Sequence, residues 1–331
     1  MKKAILALMV LLAAGSVFAQ RYPAKDITIT VVFGAGGGTD VLCRLAAGEI
    51  REYLGRNVVV TNVTGGVSAS NGMFAVDGMP HDGYNLVGFS ESVVTGPVMG
   101  GFTKKMDAWY PFIVAGSPDV ISVPADSPYK TIKDLIDAAK ANPGIIKGGA
   151  GNVGGLHHLN LAAFQKGTGI TLNYIPYPGS APTQNAAVTK EIDVVVTSIA
   201  EQAQLIKGGQ LRPLAMLTND AFKLDGFGEI PSALKAYPEL KKYLPLMQAI
   251  GFGVAADAPA DVKKKLDDAF KKLMKDKEVL AFLASNNYQI IGKSGKEASA
   301  VFSNLESVFS WSLFDLGQAK IDPSTVGIPK P

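Results

Sequence analysis

Cysteine, arginine and long apolar segments are all scarce in this chain of 331 residues. The one cysteine, Cys43, excludes an intramolecular disulfide. After the first twenty residues, no run is apolar for the roughly 18 residues that indicate a membrane-spanning helix. Charged residues make up 18% and the formal charge is only +3, which excludes a strongly basic nucleic-acid-binding protein. The chain is instead 47% apolar with 36 glycines, which indicates a globular protein with glycine-rich loops.

The first twenty residues have the pattern of a secretory signal peptide. Lys2 and Lys3 precede the apolar run 4–14, and Val17-Phe18-Ala19 fits a signal-peptidase site. The run is too short to span a bilayer. We expect residues 1–19 to be removed by cleavage after Ala19 and the mature protein to be periplasmic. The mature chain then has 30 basic and 29 acidic residues, so its charge is close to zero.

Strand and helix patterns alternate along the chain. A β-branched run at 26–33 is followed by a glycine loop, a helix pattern that ends at Gly55, and a second strand at 57–62. The same alternation recurs between residues 131 and 217. It predicts an α/β fold with helices flanking a mainly parallel sheet. Near the C-terminus, one long amphipathic helix is predicted over residues 260–285.

Four loops rich in glycine or serine lie between a predicted strand and the following helix. Ligands of open α/β sheets bind at the carboxyl ends of strands, and helix N-termini attract anions. Each loop alone could be a plain connection, but four together predict an anion-binding cleft. None contains arginine, which favours a small carboxylate over a polyphosphate. The loops are Gly34–Thr39, Gly65–Gly72, Gly148–Gly155 and Tyr177–Pro182.

Motifs for catalysis and for cofactors are incomplete. The segment 149–154 matches G-x-G-x-x-G, but no acidic residue lies about 20 residues further on, as a dinucleotide site requires. The adjacent His157 and His158 point about 100° apart on a helix, which favours a cap or a core hydrogen bond over a shared metal. There is no G-x-S-x-G nucleophile motif. We therefore expect no cofactor, no metal and no catalytic residues.

Several segments together carry a family resemblance that covers nearly the whole mature chain. The chain resembles the solute-binding proteins of tripartite tricarboxylate transporters, the Bug family. The segments include 31-VVFGAGGGTDVLCRLAAGEIREYLGRNVVVTNVTGG-66, 82-DGYNLVGFSES-92, 148-GGAGNVGGLHHL-159, 175-IPYPGSAP-182 and 205-LIKGGQLRPLA-215.

The resemblance implies a two-lobed periplasmic binding protein fold, type II-like, with a ligand cleft between the lobes. Residues 20–119 and 252–331 are expected in lobe one and 120–251 in lobe two, with chain crossings near 117–123 and 247–253. The implied function is capture of a small carboxylate. The implied partners are the large and small integral-membrane transporter subunits, and we expect a monomer that binds no nucleic acid.

The resemblance also implies which loop amides and hydroxyls bind the carboxylate. In lobe one these are Ala35, Gly38, Thr39, Asp40, Ser68, Ser70, Ser90, Glu91 and Ser92. In lobe two they are Gly149, Ala150, Gly151, Gly179, Ser180, Ala181, Pro182, Thr197 and Ser198. In addition, Phe33, Phe89 and Tyr177 could pack on an apolar ligand body or simply pack at strand ends. Glu91 could pair with a ligand ammonium or point to solvent.

A secreted α/β hydrolase-like enzyme with its active site in the interlobe cleft is the alternative. Such an enzyme needs a serine or cysteine within hydrogen-bond reach of a histidine base. The chain offers His81, His157 and His158 as bases.

Overall fold

The computed structural model describes residues 22–331, so the predicted signal peptide and its cleavage site lie outside the described residues. The helices are α1 (Gly38–Leu54), α2 (Ser70–Asp77), α3 (Gly96–Met99), α4 (Ile132–Ala141), α5 (Leu156–Thr168), α6 (Ser180–Val188), α7 (Ile199–Lys207), α8 (Ala233–Ala236), α9 (Ala260–Leu273), α10 (Lys277–Ser285) and α11 (Gly295–Asp315). None of these is long and apolar enough to cross a membrane.

The strands form two larger sheets and one hairpin. They are β1 (Ile27–Val31), β2 (Val58–Asn62), β3 (Asn85–Ser90), β4 (Trp109–Gly116), β5 (Asp119–Pro124), β6 (Lys147–Ala150), β7 (Asn173–Pro176), β8 (Val194–Ser198), β9 (Leu211–Met216), β10 (Phe222–Leu224), β11 (Gly228–Ile230), β12 (Ile250–Ala255) and β13 (Gln289–Ser294). The six-stranded sheet has the order β13-β4-β12-β3-β1-β2, and the five-stranded sheet has the order β7-β6-β8-β5-β9.

Both larger sheets are mixed, so the prediction of mainly parallel sheets is wrong. In the first sheet, β1 pairs in parallel with β2 and β3 because helical crossovers connect these strands. The later strands β12 and β13 pair antiparallel with β3 and β4. In the second sheet β6 runs parallel to β7 and β8, while β5 runs antiparallel to β8 and β9. The strands that directly follow a crossing from the other sheet, β5 and β12, are therefore antiparallel to the neighbouring strands of the parallel set.

The chain passes between the two sheets at two adjacent segments. One is Ser117-Pro118, between β4 and β5, and the other is the stretch that leads into β12. The two segments touch, since Pro118 bridges Met247. The expected lobe boundaries are therefore wrong at three positions. Asp119 lies in the five-stranded sheet, whereas Ile250 and Gly251 lie in the six-stranded sheet.

The predicted helix over residues 260–285 is two helices, α9 and α10. The Asp276 side chain accepts the backbone N–H groups of Glu278 and Val279 and so begins α10. Its apolar face is as expected, because Val262, Leu266 and Phe270 are all buried. The apolar residues continue at helical spacing across the break, but the capping aspartate starts a new helix there.

Candidate functional site

A small cavity lies between the two sheets, where glycine loops from both lobes meet. The Gly34 N–H donates to the Pro178 carbonyl at 3.0 Å, and the Ser68 N–H donates to the Val153 carbonyl at 3.0 Å. The space open to the centres of water molecules is about 20 Å³, which is room for about one water. The lobes are therefore closed on each other around this cavity.

Three helices begin at the cavity, and each has a glycine at its N-cap. Gly37 precedes α1, Gly155 precedes α5, and Gly179 precedes α6; none of the three helices has a side-chain cap. All three glycines line the cavity. Because a helix leaves its first N–H groups without partners inside the helix, these N-termini present donors and positive dipole ends to the cavity. An anion in the cavity would be stabilised from both lobes.

Gly179 has to be a glycine. Its φ of 143° is disfavoured for any residue with a Cβ, and a Cβ there would lie 3.0 Å from the Gly34 nitrogen in the other lobe. The close approach of loop 34–37 to loop 178–182 depends on this glycine.

Asp40 shapes the first of these loops. Its Oδ2 accepts the Gly36 N–H and the Arg44 Nε–H, both at 2.9 Å, and its Oδ1 accepts from Asn62 Nδ2 at 2.9 Å. Burial favours a higher pKa, but the hydrogen bonds from Arg44, Gly36 and Asn62 hold the pKa of Asp40 below its usual value. Asp40 does not line the cavity. It is therefore a charged brace for the loop.

Asp119, His157 and Ser180 are hydrogen-bonded in series at the second-lobe side of the cavity. His157 Nδ1 lies 2.8 Å from Asp119 Oδ2, and His157 Nε2 lies 3.2 Å from Ser180 Oγ. Burial opposes protonation of His157, but the charge and hydrogen bond of Asp119, with a further contribution from Glu201, raise its pKa to about 9. The imidazole is therefore mostly protonated at neutral pH. Asn160 donates to Asp119 at 2.7 Å and completes this buried group.

Glu201 also reaches the cavity from the second lobe. It lies in the first turn of α7, where its Oε2 accepts from the Ser198 N–H and forms a capping box. Its Oε1 accepts the Gly38 N–H of the first lobe at 2.8 Å. A carboxylate of the protein itself thus lies at the N-terminus of α1.

Glu91 does not line the cavity and is not exposed to solvent, so the solvent-facing role is wrong and the pairing with a ligand ammonium stays a prediction. The residue is 1% exposed, and its Oε2 accepts the Ala249 N–H at 2.6 Å. Its Oε1 accepts from the Ser92 hydroxyl at 2.9 Å. Burial raises the pKa of Glu91 to about 7, although the Ala249 N–H partly offsets it. Glu91 therefore connects the end of β3 to the crossing segment before β12.

Of the residues expected to bind ligand, eight meet at the cavity. Phe33 is the aromatic one, and its side chain is almost entirely buried. The Ser92 hydroxyl also accepts the Leu156 N–H at 3.0 Å, so it joins the first lobe to the N-terminus of α5. The eight are Phe33, Gly38, Thr39, Ser90, Ser92, Gly151, Gly179 and Ser180.

The other expected residues do not line the cavity, and two of them lie in the core of a lobe. Phe89 is fully buried and packs edge-on against Phe302, so of its two expected roles the structure shows packing within the protein. The Thr197 hydroxyl accepts from Gln184 and Gln202 within the second lobe. Strand pleating explains both, because alternate side chains of a strand enter the core.

The remaining expected residues surround the cavity at a distance. Tyr177 is half-buried and donates to Glu191, and the Ser68 hydroxyl pairs with that of Thr95 at 2.7 Å. Ser198 caps α7. The others are Ala35, which is exposed, the half-buried Ala181 and Pro182, and the buried Ser70, Gly149 and Ala150.

Seven lining residues were not among the expected ones. The most polar are His157, Glu201 and Gln248. Two had usable signals in the sequence. His157 follows a glycine loop, and Ser198-x-x-Glu201 is a capping-box pattern directly after a strand. The full set is Gly37, Asn152, Gly155, Leu156, His157, Glu201 and Gln248.

Comparison with known proteins identifies the family of this two-lobed chain. Residues 42–304 match the model of the tripartite tricarboxylate transporter family receptor. The chain belongs to this receptor family. Protein BugT of Bordetella pertussis is 30% identical to it, over 68% of this chain and 70% of BugT. A receptor of this family binds a solute for a tripartite tricarboxylate transporter, so the sequence-based prediction of family and general function is confirmed.

Solved structures confirm the two-lobed periplasmic binding protein fold of the receptor. The periplasmic binding protein BugD superposes with a TM-score of 0.82 at 23% identity, covering 90% of this chain and 99% of BugD. The R. palustris protein Rpa4515 with adipate superposes with a TM-score of 0.79 at 22% identity, covering 89% of this chain and 98% of that protein.

Proposed function

We propose that this receptor captures a small carboxylate between its lobes in the periplasm and delivers it to large and small integral-membrane transporter subunits. The protein acts as a monomer and without catalysis. Removal of residues 1–19 after Ala19 gives the mature form. Its first lobe comprises the residues up to Gly116 together with those from Ile250 onward, and its second lobe comprises residues 119–246.

The meeting of three uncapped helix N-termini in one interlobe cavity carries this proposal. Gly37, Gly155 and Gly179 offer no side-chain acceptor, so the first N–H groups of these helices depend on acceptors from elsewhere. The Glu201 carboxylate accepts from Gly38 and the Ser92 hydroxyl accepts from Leu156, and a ligand carboxylate would take the place of such acceptors. An anion held in this way replaces its hydration shell with fixed donors. The adipate in the structurally similar Rpa4515 supports a carboxylate as the ligand.

The lobes have to separate for a ligand to enter, because the cavity accommodates about one water. The hinge is formed by the two adjacent crossings between the lobes. Residues 117–118 connect β4 of the first lobe to β5 of the second, and residues 247–249 lead from the second lobe back to β12 of the first. Two-segment hinges of this kind permit rigid-body closure around a ligand.

Titration calorimetry against citrate, malate, adipate and amino acids tests the proposal. Small-angle scattering of the same samples measures any change in the separation of the lobes when an acid is added. The informative variant is Gly37→Asp, which places a carboxylate over the N-terminus of α1. Asp is a favourable N-cap residue, and Gly37 has an extended φ of −76°. We expect binding to weaken by at least about tenfold while the melting temperature holds.

The matched control is Gly48→Asp, which adds the same charge within α1 but has no neighbouring atoms within 4 Å of its new Cβ. Its binding should equal that of the wild type. Failure of the wild-type protein to bind any of these acids would overturn the proposal.

A secreted hydrolase is the second candidate function, and one observation favours it. Asp119, His157 and Ser180 have the hydrogen-bond order of a Ser-His-Asp triad, and Ser180 lies at the N-terminus of α6, where an oxyanion could bind. A general base must be neutral at the start of the reaction, however, and the pKa of His157 is raised to about 9. Binding therefore fits the charge state better.

A fluorophosphonate probe and p-nitrophenyl esters distinguish the two functions. At pH 7 and at pH 10, we expect the wild-type protein to show no more probe labelling and no more ester hydrolysis than Ser180→Ala. Labelling of Ser180 with ester turnover that disappears in Ser180→Ala would establish the hydrolase instead.

A further inference from the structure

The Glu201 carboxylate occupies a position built for an anion. Its Oε1 accepts the Gly38 N–H at 2.8 Å, and its Oε2 lies 3.7 Å from Nε2 of the His157 imidazolium. Gln248 Nε2 donates to Oε2 at 3.4 Å. The Glu201 side chain is 5% exposed. A helix N-terminus, an imidazolium and an amide thus converge on one carboxylate.

This position is part of the interlobe cavity. Gly38, His157 and Gln248 all line the cavity along with Glu201. Gln248 is 4% exposed, and its Oε1 has no hydrogen-bond partner among the described residues. A buried acceptor without a partner is costly, so it indicates a position for a hydrogen-bond donor, such as a water or a ligand hydroxyl. The Glu201 carboxylate itself is already bonded to Gly38, Ser198 and Gln248, so the unfilled position lies beside it, on Gln248.

The Gly38–Glu201 hydrogen bond joins the two lobes. Gly38 begins α1 of the first lobe, and Glu201 lies in α7 of the second. A Cβ on Gly38 would lie 2.8 Å from Glu201 Oε1, so a larger residue there would displace the carboxylate from this position. The bond is also charge-assisted, which makes it stronger than the neighbouring bonds between backbone groups.

We propose that Glu201 is an internal competitor: its carboxylate holds the lobes closed at the anion position of the α1 N-terminus until a ligand carboxylate displaces it. This inference rests on the proposed carboxylate binding. Two carboxylates cannot share one N–H and one imidazolium without mutual repulsion. Ligand binding therefore breaks the Gly38–Glu201 bond, and Glu201 sets how strongly an acid must bind to open and occupy the cleft.

Two variants separate the charge of Glu201 from its reach. Glu201→Gln keeps the length but removes the charge. Glu201→Asp keeps the charge and the capping box, as Asp134 does with Thr131 in α4, but is too short to reach Gly38. The control is Glu229→Gln, which removes the same charge from an exposed strand of the second lobe.

Small-angle scattering of the ligand-free proteins is the first measurement. We expect both Glu201 variants to have a larger radius of gyration than the wild type and the control to have the same radius. Equal radii for all four proteins would overturn the proposal. This measurement needs no ligand, so it remains decisive even if the proposed carboxylate binding fails.

Titration calorimetry with malate and adipate is the second measurement. We expect Glu201→Gln to bind these acids about tenfold more tightly than the wild type, because the competing charge is gone, and Glu201→Asp to show a smaller gain. Weaker binding by Glu201→Gln would overturn the proposal, since Glu201 would then hold the ligand. If no protein binds either acid, the proposed function fails and scattering alone decides the role of Glu201.

Discussion

Both lobes present helix N-termini and hydroxyls to the cavity, but among the lining residues only those of the second lobe have ionisable side chains. In the first lobe, the carboxylates of Asp40 and Glu91 lie behind the cavity wall and hold the loop and the hinge. In the second lobe, His157 and Glu201 face the cavity itself. The comparison teaches that both lobes provide preorganised donors, while the second lobe also sets the charge that a ligand meets.

The largest expected effect is on the second lobe, from Asp119→Asn. Asp119 is fully buried and accepts from both His157 and Asn160. Without its charge, a buried imidazolium has lost its main partner, which costs about 3 to 5 kcal/mol in comparable buried pairs. Urea unfolding at pH 7 measures the loss. A loss below about 1 kcal/mol would show that the pair is not a charged one.

The same pair gives a pH dependence with a defined sign. The pKa of folded His157 is raised from 6.5 to about 9, so its stabilising contribution is full below pH 6.5 and is lost as the pH rises through 9. The decline in unfolding free energy over that window should be absent in Asp119→Asn.

Glu91→Gln tests the hinge side of the first lobe. The pKa of Glu91 is raised from 4.5 to about 7, so its contribution to stability is full below pH 4.5 and is lost as the pH rises through 7. The variant should match the wild type at pH 4 and exceed its unfolding free energy at pH 8 by about 3 kcal/mol. Unfolding at the two pH values gives the difference.

Glu306→Gln is the matched control, because burial also raises the pKa of Glu306 to about 7, far from the cavity in α11. Neither variant should change ligand affinity. Loss of binding in Glu91→Gln alone would show that Glu91 contacts a cationic group of the ligand after all.

The smallest expected effect on stability comes from Asp40→Ala. It removes three hydrogen bonds that shape loop 34–37, but the Arg44 partner is half-exposed, so we expect about 1 kcal/mol of destabilisation. Binding should weaken by about tenfold, because the N–H groups at the start of α1 are no longer held in place. Calorimetry and thermal melting, compared for the same preparation, give the two numbers. If the loss of binding free energy were no larger than the loss of unfolding free energy, Asp40 would act only through the stability of the protein.

Local signals predicted much of the fold. The Gly34–Thr39 loop and the end of α1 at Gly55 each depend on residues close in sequence, and the structure has them. Strand direction was not predictable in this way. β12 lies antiparallel to β3 because it returns from the other lobe, which no local pattern records.

The candidate site shows the same division. Loop positions such as Gly38, Gly179 and Ser180 were predictable from glycine loops and resemblance. Glu91 and Phe89 do not line the cavity, because a strand end next to a cleft can direct a side chain into the core or toward the hinge. Glu201 was missed because its capping box explains it locally, while its second oxygen reaches a residue 163 positions away.

By itself, the sequence determined an α/β chain of low net charge, with glycine loops placed at the starts of helices and a recognisable receptor family. These properties follow from composition and short-range pattern. Only the tertiary structure decided which charges meet: it paired His157 with Asp119 and brought Glu201 to Gly38. The reason is physical, since electrostatic interactions become strong only where folding removes water and brings distant groups within a few ångströms.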